Sequence, residues 1–291
     1  MNEEVFNINK VSLAIGSLAT QAMLYEVSCF PSPGLISPVS NGSHKDMNYY
    51  TFIDSTSVLS RYLPLFVQEG FSEKSCKDIF CSIRSIGIEA EKDMFEITKG
   101  INTHKGMLFL IGIACAAIGK AIYEKKNFNE IQYIIKEMTK GIVQEELALL
   151  QNKEALSHGE KLYFKYRTEG IRGEVEKGIP TVFNLSLNFY RNNADLSIND
   201  RLVHTLLGIM QICDDSTIIH RHSPEVLEEV KEKAKAIIAS GGMKTSCGRE
   251  QINSLCNEFI EKNISPGGSA DLLGVTVFLY LVEQYMSGMD I

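Results

Sequence analysis

Five clusters of polar residues that could do chemistry interrupt a chain that is otherwise patterned by apolar residues. Each cluster joins charged side chains to small or neutral polar residues, which is a combination suited to binding anions or metal–phosphate groups. We refer to them as the five polar clusters. They lie at residues 41–47, 98–106, 170–174, 199–201 together with 214–215, and 265–271.

Two of these clusters lie where a long apolar helix is predicted to begin. The cluster at 98–106 directly precedes an apolar run that starts at Met107, and the cluster at 265–271 opens the last apolar run. A helix N-terminus carries unpaired N–H groups and positive partial charge, so it favours bound anions. Lys99, His104 and Lys105 would add cationic or hydrogen-bonding side chains to the first of these ends. The alternatives are solvated surface charges for the lysines and a simple turn with a cap for 265–269.

Carboxylates near predicted helix ends supply the complementary chemistry. Mg²⁺ is typically held by one or two carboxylates together with substrate phosphates. The combination therefore favours a magnesium nucleotide as ligand, although any single Asp could instead be an N-cap or a surface charge. The carboxylates concerned are Asp46, Glu174, Asp200, Asp214, Asp215 and Asp271.

Amphipathic helices are predicted to position all of these clusters. Apolar residues recur with helical spacing in four segments, at 79–86, 131–142, 226–238 and 252–260. Strand-length alternation is hard to find, and no linker or fixed-period repeat divides the chain. The sequence therefore predicts an all-α fold. We expect one compact multi-helix domain over residues 1–291, with the active site at helix ends and connecting loops.

Composition excludes several classes of protein. The 291 residues carry a net charge of −7, which argues against non-specific binding to nucleic acid. The longest apolar runs are well below the ~20 residues that a bilayer span needs, so no membrane segment is expected. Residues 1–4 lack the basic start of an export signal, and seven scattered cysteines form no CxxC pair. These features predict a cytoplasmic protein with free thiols, and they leave open whether it forms a homo-oligomer.

Seven strings in the chain resemble the triphosphoribosyl-dephospho-CoA synthase family, in the family's order and from about Glu26 to the C-terminus. Two of them, of about nine residues each, are specific. The chain departs from the family at Ser32, Ser37, 216–217 and His222, which weakens the transfer of residue roles in the first and fourth clusters. The strings are 31–36, 42–47, 51–55, 98–106, 170–174, 200–202 and 265–273.

The resemblance implies a reaction as well as an all-helical fold. Members of this family transfer the triphosphoribosyl group of ATP to the 2′-hydroxyl of 3′-dephospho-CoA and release adenine. The product is the precursor of the prosthetic group of the acyl-carrier subunit of citrate lyase or malonate decarboxylase. A downstream carrier-protein transferase and that acyl-carrier subunit would then be partners by pathway. The cofactor expected with ATP is Mg²⁺.

Residue roles follow from the chemistry that this reaction needs. The C1′–adenine bond breaks through an oxocarbenium-like state, so the triphosphate must be fixed and the incoming hydroxyl deprotonated. Asp46 is the candidate base with Glu26 as its substitute, and His44 would contact phosphate or orient Asp46. The expected Mg²⁺ ligands are Glu174, Asp214, Asp215 and Asp271, although Asp271 could equally cap its own helix. The predicted triphosphate-binding residues are Lys99, Asn102, Thr103, His104, Lys105, Arg172, Arg201, Ser265, Gly267, Gly268 and Ser269.

Two other functions compete with the transferase. One is a helical Mg²⁺-dependent phosphohydrolase that uses the same carboxylates on a nucleotide, and it would form ADP or AMP in place of adenine. The other is a non-catalytic nucleotide-binding or accessory protein, which would bind ATP and release nothing. The usual P-loop, dinucleotide-binding and serine-hydrolase motifs are absent from the sequence.

Overall fold

The computed structural model describes residues 8–148 and 158–288. Those ranges contain α-helices and short helical turns but no β-strand, apart from an isolated bridge between Ser37 and Ser40. The all-α prediction is therefore confirmed. The α-helices are α1 Lys10–Ser28, α2 Tyr49–Leu59, α3 Leu63–Gly70, α4 Cys76–Ile97, α5 Lys105–Tyr123, α6 Ile131–Thr139, α7 His158–Tyr166, α8 Gly170–Glu176, α9 Leu187–Asn192, α10 Ile198–Met210, α11 Ser216–Arg221, α12 Pro224–Ala239, α13 Ser246–Lys262 and α14 Gly267–Ser287.

Helix α5 lies at the centre of the molecule because it is apolar on every side. It is long and apolar enough to cross a membrane by composition, but 83% of that stretch is buried inside the protein, so it is a core helix. Its approach to α3 is very close: a Cβ at Gly70 would lie 1.9 Å from the carbonyl oxygen of Ala116. A side chain larger than hydrogen at this crossing would force the two helices apart.

The predicted amphipathic segments form helices that cover the core with one face. In α4 the buried positions include Ile79 and Ile83, and Ser75 caps the helix by accepting from Asp78 N–H. In α12 the apolar stripe is buried as the spacing predicts, after a Ser223 cap and a proline in the first turn. Local hydrogen bonding sets both ends. The sequence located the Ser223 cap of α12, but for α4 it indicated Ser72 as the cap, three residues before the observed Ser75.

Helix α14 joins the two halves of the chain by packing against α1, α5 and α10. The buried apolar side chains of the described residues form one cluster that includes Ile15 near the start and Met286 near the end. This packing brings the first turns of α5 and α14 to the same side of the molecule. The prediction of a single domain also covers residues 1–7, 149–157 and 289–291, which lie outside the described ranges, and it stays a prediction.

Candidate active site

A large cleft opens where α5, α8, α11 and α14 begin, with a cavity volume of about 980 Å³. This is at the upper end of the range for small-molecule sites. It collects residues from four of the five polar clusters, including His44 and Ser265, which are 221 residues apart in the sequence and 3.0 Å apart in the structure. The predicted site residues that line it are Glu26, His44, Asp46, Asn102, Thr103, His104, Lys105, Arg172, Ser265, Gly267, Gly268 and Asp271.

The N-terminus of α5 is capped by a carboxylate from another helix. The side chain of its own N-cap residue, His104, makes no capping hydrogen bond. Asp271, in the second turn of α14, instead accepts from the N–H of Met107. Gly106 makes room for this contact, since a Cβ there would lie 2.1 Å from Asp271 Oδ2. Asp271 thus caps the neighbouring helix and not its own, and the metal-binding role that the sequence also suggested for it stays a prediction.

Two carboxylates lie close enough in the cleft to influence each other. Glu26 is only 6% exposed, and burial, followed by the charge of Asp271, raises its pKa well above the usual value. Burial and the charge of Asp215 do the same to the pKa of Asp271. The charged forms are disfavoured by the lack of water and by mutual repulsion. The pair therefore holds protons more tightly than isolated carboxyl groups do.

His104 is held as a neutral imidazole at the start of α5. The Thr103 hydroxyl donates to Ser55 Oγ at 2.7 Å, and Ser55 Oγ lies 2.8 Å from His104 Nδ1. The Ser55 proton is then directed to Nδ1, which assigns the remaining ring proton to Nε2. Burial lowers the pKa of His104 to about 3. Nε2 is buried and has no hydrogen-bond partner in the described structure, and Phe52 packs edge-on against the ring.

His44 is also neutral, because burial and the nearby Arg221 lower its pKa to about 4. Its Nδ1 lies 3.2 Å from Arg221 Nη2, which can only donate, so Nε2 carries the proton that faces Ser265 Oγ. Asp46 lies 4.0 Å from the same Nδ1 and its side chain is 64% exposed. The ring therefore links the clusters at 41–47 and 265–271, and Asp46 sits at the solvent edge.

Among the described residues, four lysine and arginine side chains line the cleft, and two of them were not predicted as site residues. Lys105 pairs with Glu91 at 2.5 Å, and Arg172 pairs with Glu146 at 2.8 Å. Lys161 and Arg221 also line the cleft. The sequence signals for Arg221 were a basic run at 220–222 and a match to an arginine of the family, just before the departure at His222, whereas α11 is too short to show a periodic pattern.

The predicted anion nest at the start of α14 already binds an anion of the protein itself. Asp215 Oδ2 accepts from Ser269 N–H at 2.8 Å and from Ser269 Oγ at 3.0 Å, and Gly268 N–H also donates to this carboxylate. The other oxygen, Oδ1, accepts from the N–H groups of Thr217 and Ile218, so Asp215 caps α11 as well. Both partners were predicted as site residues from the sequence, but Gly268 and Ser269 were expected to bind phosphate and Asp215 was expected to bind Mg²⁺.

With this geometry established, comparison with known proteins identifies the family. The profile of the CitG family, described as ATP:dephospho-CoA triphosphoribosyl transferase, matches residues 12–289. The chain belongs to this family. It is therefore a transferase, as the resemblance implied.

Curated relatives of this transferase cover most of its length. It is 38% identical over 290 residues to a Malonomonas rubra protein named "Probable 2-(5''-triphosphoribosyl)-3'-dephosphocoenzyme-A synthase", which covers 97% of this chain and 92% of the relative. A Lactiplantibacillus plantarum protein of the same name is 37% identical over 275 residues, covering 92% of this chain and 97% of the relative. "Protein CitXG" of Leuconostoc mesenteroides is 39% identical over 268 residues, with 90% and 57% covered. No solved structure matches.

Several residues predicted for this transferase do not line its cleft. Lys99 is exposed at the end of α4, with a positive φ of 56°. Arg201 is buried, and its guanidinium stacks on the ring of Tyr190 at 3.6 Å while Nε donates to the Tyr190 carbonyl. Its position therefore indicates a packing role and not the predicted phosphate contact. The backbone N–H and the hydroxyl of Ser269 both donate to the Asp215 carboxylate, as described above.

The four predicted metal ligands do not form a single cluster either, although Asp215 is close enough to Asp271 for its charge to raise the pKa of Asp271. Asp214 is 77% exposed and pairs with Lys231 at 2.8 Å, and Glu174 accepts from Thr181 N–H at 2.8 Å. Within residues 8–148 and 158–288, no group of three or more His, Cys, Asp or Glu side chains could hold a metal ion. Of the four predicted ligands, only Asp271 lines the cleft. The residues present thus do not form a dedicated metal cage, and the role of Mg²⁺ stays a prediction.

Proposed function

We propose that this transferase moves the triphosphoribosyl group of ATP to the 2′-hydroxyl of 3′-dephospho-CoA and releases adenine. The product would be the prosthetic-group precursor for the acyl-carrier subunit of citrate lyase or malonate decarboxylase. One observation carries the proposal: cationic side chains from separate clusters share a cleft with the buried Glu26 and the partly buried Asp271. The cationic side chains of such a site can bind a polyphosphate, and a carboxylate next to them can accept a proton.

The cationic side chains are proposed to hold the triphosphate. Lys105 and Arg172 project from the first turns of α5 and α8, and Arg221 and Lys161 face the same cleft. Their carboxylate partners, Glu91 and Glu146, keep two of these side chains in place. Phosphate oxygens can then compete for the same donors, and the charge-assisted hydrogen bonds would fix the triphosphate relative to C1′.

Glu26 is proposed as the base, in preference to Asp46. In the reaction the 2′-oxygen of the acceptor bonds to C1′, the C1′–N9 bond breaks and adenine leaves with its electron pair. The hydroxyl proton passes to the Glu26 carboxylate, the departing adenine takes up a proton from water, and the proton count balances when Glu26 returns its proton to the solvent. A buried carboxylate with a raised pKa accepts a proton more readily than an exposed one, and Asp46 is largely in water. Asp271 increases the basicity of Glu26 through its charge.

Magnesium is proposed to enter as part of the substrate, MgATP. A cation that the triphosphate already coordinates needs only one or two protein carboxylates. Asp271 is the predicted ligand in a position to meet it, because it lines the cleft at the N-terminus of α5. This arrangement is compatible with the lack of a three-ligand cluster in the described residues.

Chromatographic detection of adenine tests the proposal. Purified enzyme with MgATP and dephospho-CoA is expected to release adenine and to form a product heavier than dephospho-CoA by one triphosphoribosyl group. An acceptor that lacks the 2′-hydroxyl should give no product. Formation of ADP or AMP would identify a phosphohydrolase, and tight ATP binding without any product would identify an accessory protein. Either result would refute the transfer.

The cellular setting belongs to the same proposal. All seven cysteines are free thiols, and Cys29, Cys115 and Cys213 are buried. Free thiols suit a reducing compartment, so we place the enzyme in the cytoplasm. There its product would pass to a downstream carrier-protein transferase and then to the acyl-carrier subunit.

A further inference from the structure

A second, apolar groove opens beside the cleft, between α4 and α5. Its cavity volume is about 220 Å³. The groove shares Lys105, Ile171 and Arg172 with the cleft, so the two are continuous at that junction. Its apolar lining consists of Phe66, Phe80, Ile83, Ile88, Leu108, Phe109 and Ile113.

The polar groups of the groove lie at its boundary and already have partners. Arg84 and Arg172 both pair with Glu146, and Lys105 pairs with Glu91. The apolar side chains between them offer no hydrogen-bond donor or acceptor. A ligand segment in the groove must therefore be uncharged, with apolar groups against the lining and any polar groups at the boundary, whereas a negative group would be favoured at the junction with the cleft.

We infer that this groove binds the pantetheine arm of dephospho-CoA, with the diphosphate of that substrate at the junction, where Lys105 and Arg172 would lie between it and the triphosphate of ATP. The inference rests on the proposed function. The arm is uncharged and extends directly from a diphosphate. Its dimethyl carbon and methylene groups suit the apolar lining, and its hydroxyl and two amide groups would be placed at the boundary, where the polar side chains lie.

Gly87 offers a way to fill the groove without disturbing the protein. It lies in the middle of α4 and lines the groove, and a Cβ added there would meet no atom within 4 Å. Gly87→Leu should occupy the space that the arm needs, and Gly87→Ala adds only one methyl group. Ser85→Leu is the matched control, since Ser85 is an exposed residue of the same helix that does not line the groove.

Isothermal titration calorimetry with dephospho-CoA, ADP and ATP tests the inference. ADP corresponds to dephospho-CoA without its pantetheine arm. For Gly87→Leu we expect a Kd for dephospho-CoA raised roughly 10- to 100-fold, with Kd values for ADP and ATP within about twofold of the unmodified enzyme. Gly87→Ala should have a smaller effect and Ser85→Leu none, and circular dichroism would verify that each variant is folded.

Three results would overturn the inference. One is an unchanged Kd for dephospho-CoA in folded Gly87→Leu. Another is an equal loss of affinity for ADP, which would place the nucleotide in the groove. The third is a selective loss of ATP affinity, which would place the purine of ATP there. Binding is measured without turnover. A failure of adenine release in the unmodified enzyme would therefore refute the proposed function, whereas the Kd values would still test whether the groove binds the pantetheine arm.

Discussion

At the scale of single residues, access to water separates carboxylates that look alike in the sequence. Glu26 and Asp46 were both candidate bases, but Glu26 is 6% exposed and the Asp46 side chain is 64% exposed. Burial disfavours the charged form, so the pKa of Glu26 is raised. The same physics keeps His44 and His104 neutral, although each has a hydrogen-bond partner.

Glu26→Gln tests the base assignment. We expect adenine release to fall by roughly 10²- to 10⁴-fold, the range attributed to general base catalysis, while ATP still binds. Chromatography would measure release and calorimetry would measure ATP affinity. Glu250→Gln, at an exposed residue outside the cleft, should leave both unchanged. Near-normal turnover of Glu26→Gln would reject the assignment.

The same variant carries a prediction about pH and stability. The pKa of Glu26 is raised in the folded state, so the folded protein binds a proton more tightly than the unfolded chain does. Its contribution to stability is complete below the unfolded pKa of about 4 and is lost as pH rises through the folded value. Glutamine cannot ionise, so the melting temperature of Glu26→Gln relative to the unmodified enzyme should increase between pH 5 and pH 8. A difference that stays constant with pH would contradict the buried carboxylate.

Ser55→Ala tests the neutral state of His104. In the unmodified enzyme, ¹⁵N NMR should show a proton on Nε2 and no titration between pH 5 and pH 8, because the pKa of His104 is about 3. The variant loses the donor to Nδ1, so we expect a mixture of tautomers and ATP affinity reduced roughly tenfold. Ser57→Ala removes an exposed hydroxyl from the same helix and should change neither. A proton on Nδ1 of the unmodified enzyme would disprove the assigned tautomer.

At the scale of helices, two carboxylates cap helices other than their own. Asp271 of α14 caps α5, and Asp215 at the start of α11 also binds the first turn of α14. Each carboxylate satisfies N–H groups that a helix N-terminus leaves unpaired. These contacts join α5, α11 and α14 at the cleft, so the positions of the helix ends depend on buried charges as well as on apolar packing.

Asp215→Ala should loosen this junction. It leaves N–H groups of α11 and α14 buried without acceptors, so we expect the free energy of unfolding to fall by about 3 kcal/mol. Asp214→Ala is the matched control, because the neighbouring side chain is exposed and its pair with Lys231 contributes at most about 1 kcal/mol. Urea denaturation would measure both. Equal losses for the two variants would contradict the capping role of Asp215.

At the scale of the whole molecule, the cleft depends on parts of the chain that are far apart in the sequence. Arg221 donates to Ser43 O and to His44 Nδ1 across 178 and 177 residues. Lys105 comes from the central helix α5 and lines the same cavity. Packing of α14 against α1 and α5 is what brings these segments together.

Arg221→Ala tests this convergence. If Arg221 and Lys105 bind the same triphosphate, replacing either one should weaken ATP binding roughly tenfold or more, because each charge-assisted hydrogen bond is worth about 2 kcal/mol. Calorimetry with ATP would measure the change. Arg249→Ala, whose partner Asp200 lies outside the cleft lining, should leave ATP affinity unchanged. Normal ATP affinity of Arg221→Ala would remove this residue from the site.

The sequence by itself determined the helical fold, the main helix ends and the family. Periodicity and capping involve residues within a few positions of each other, as at Ser223 in α12, so they can be seen along the chain. Tertiary structure decided which charges meet. It paired Asp215 with Gly268 and Ser269, turned Asp271 toward α5 and buried Glu26, because desolvation and Coulomb interactions depend on residues brought together from distant segments.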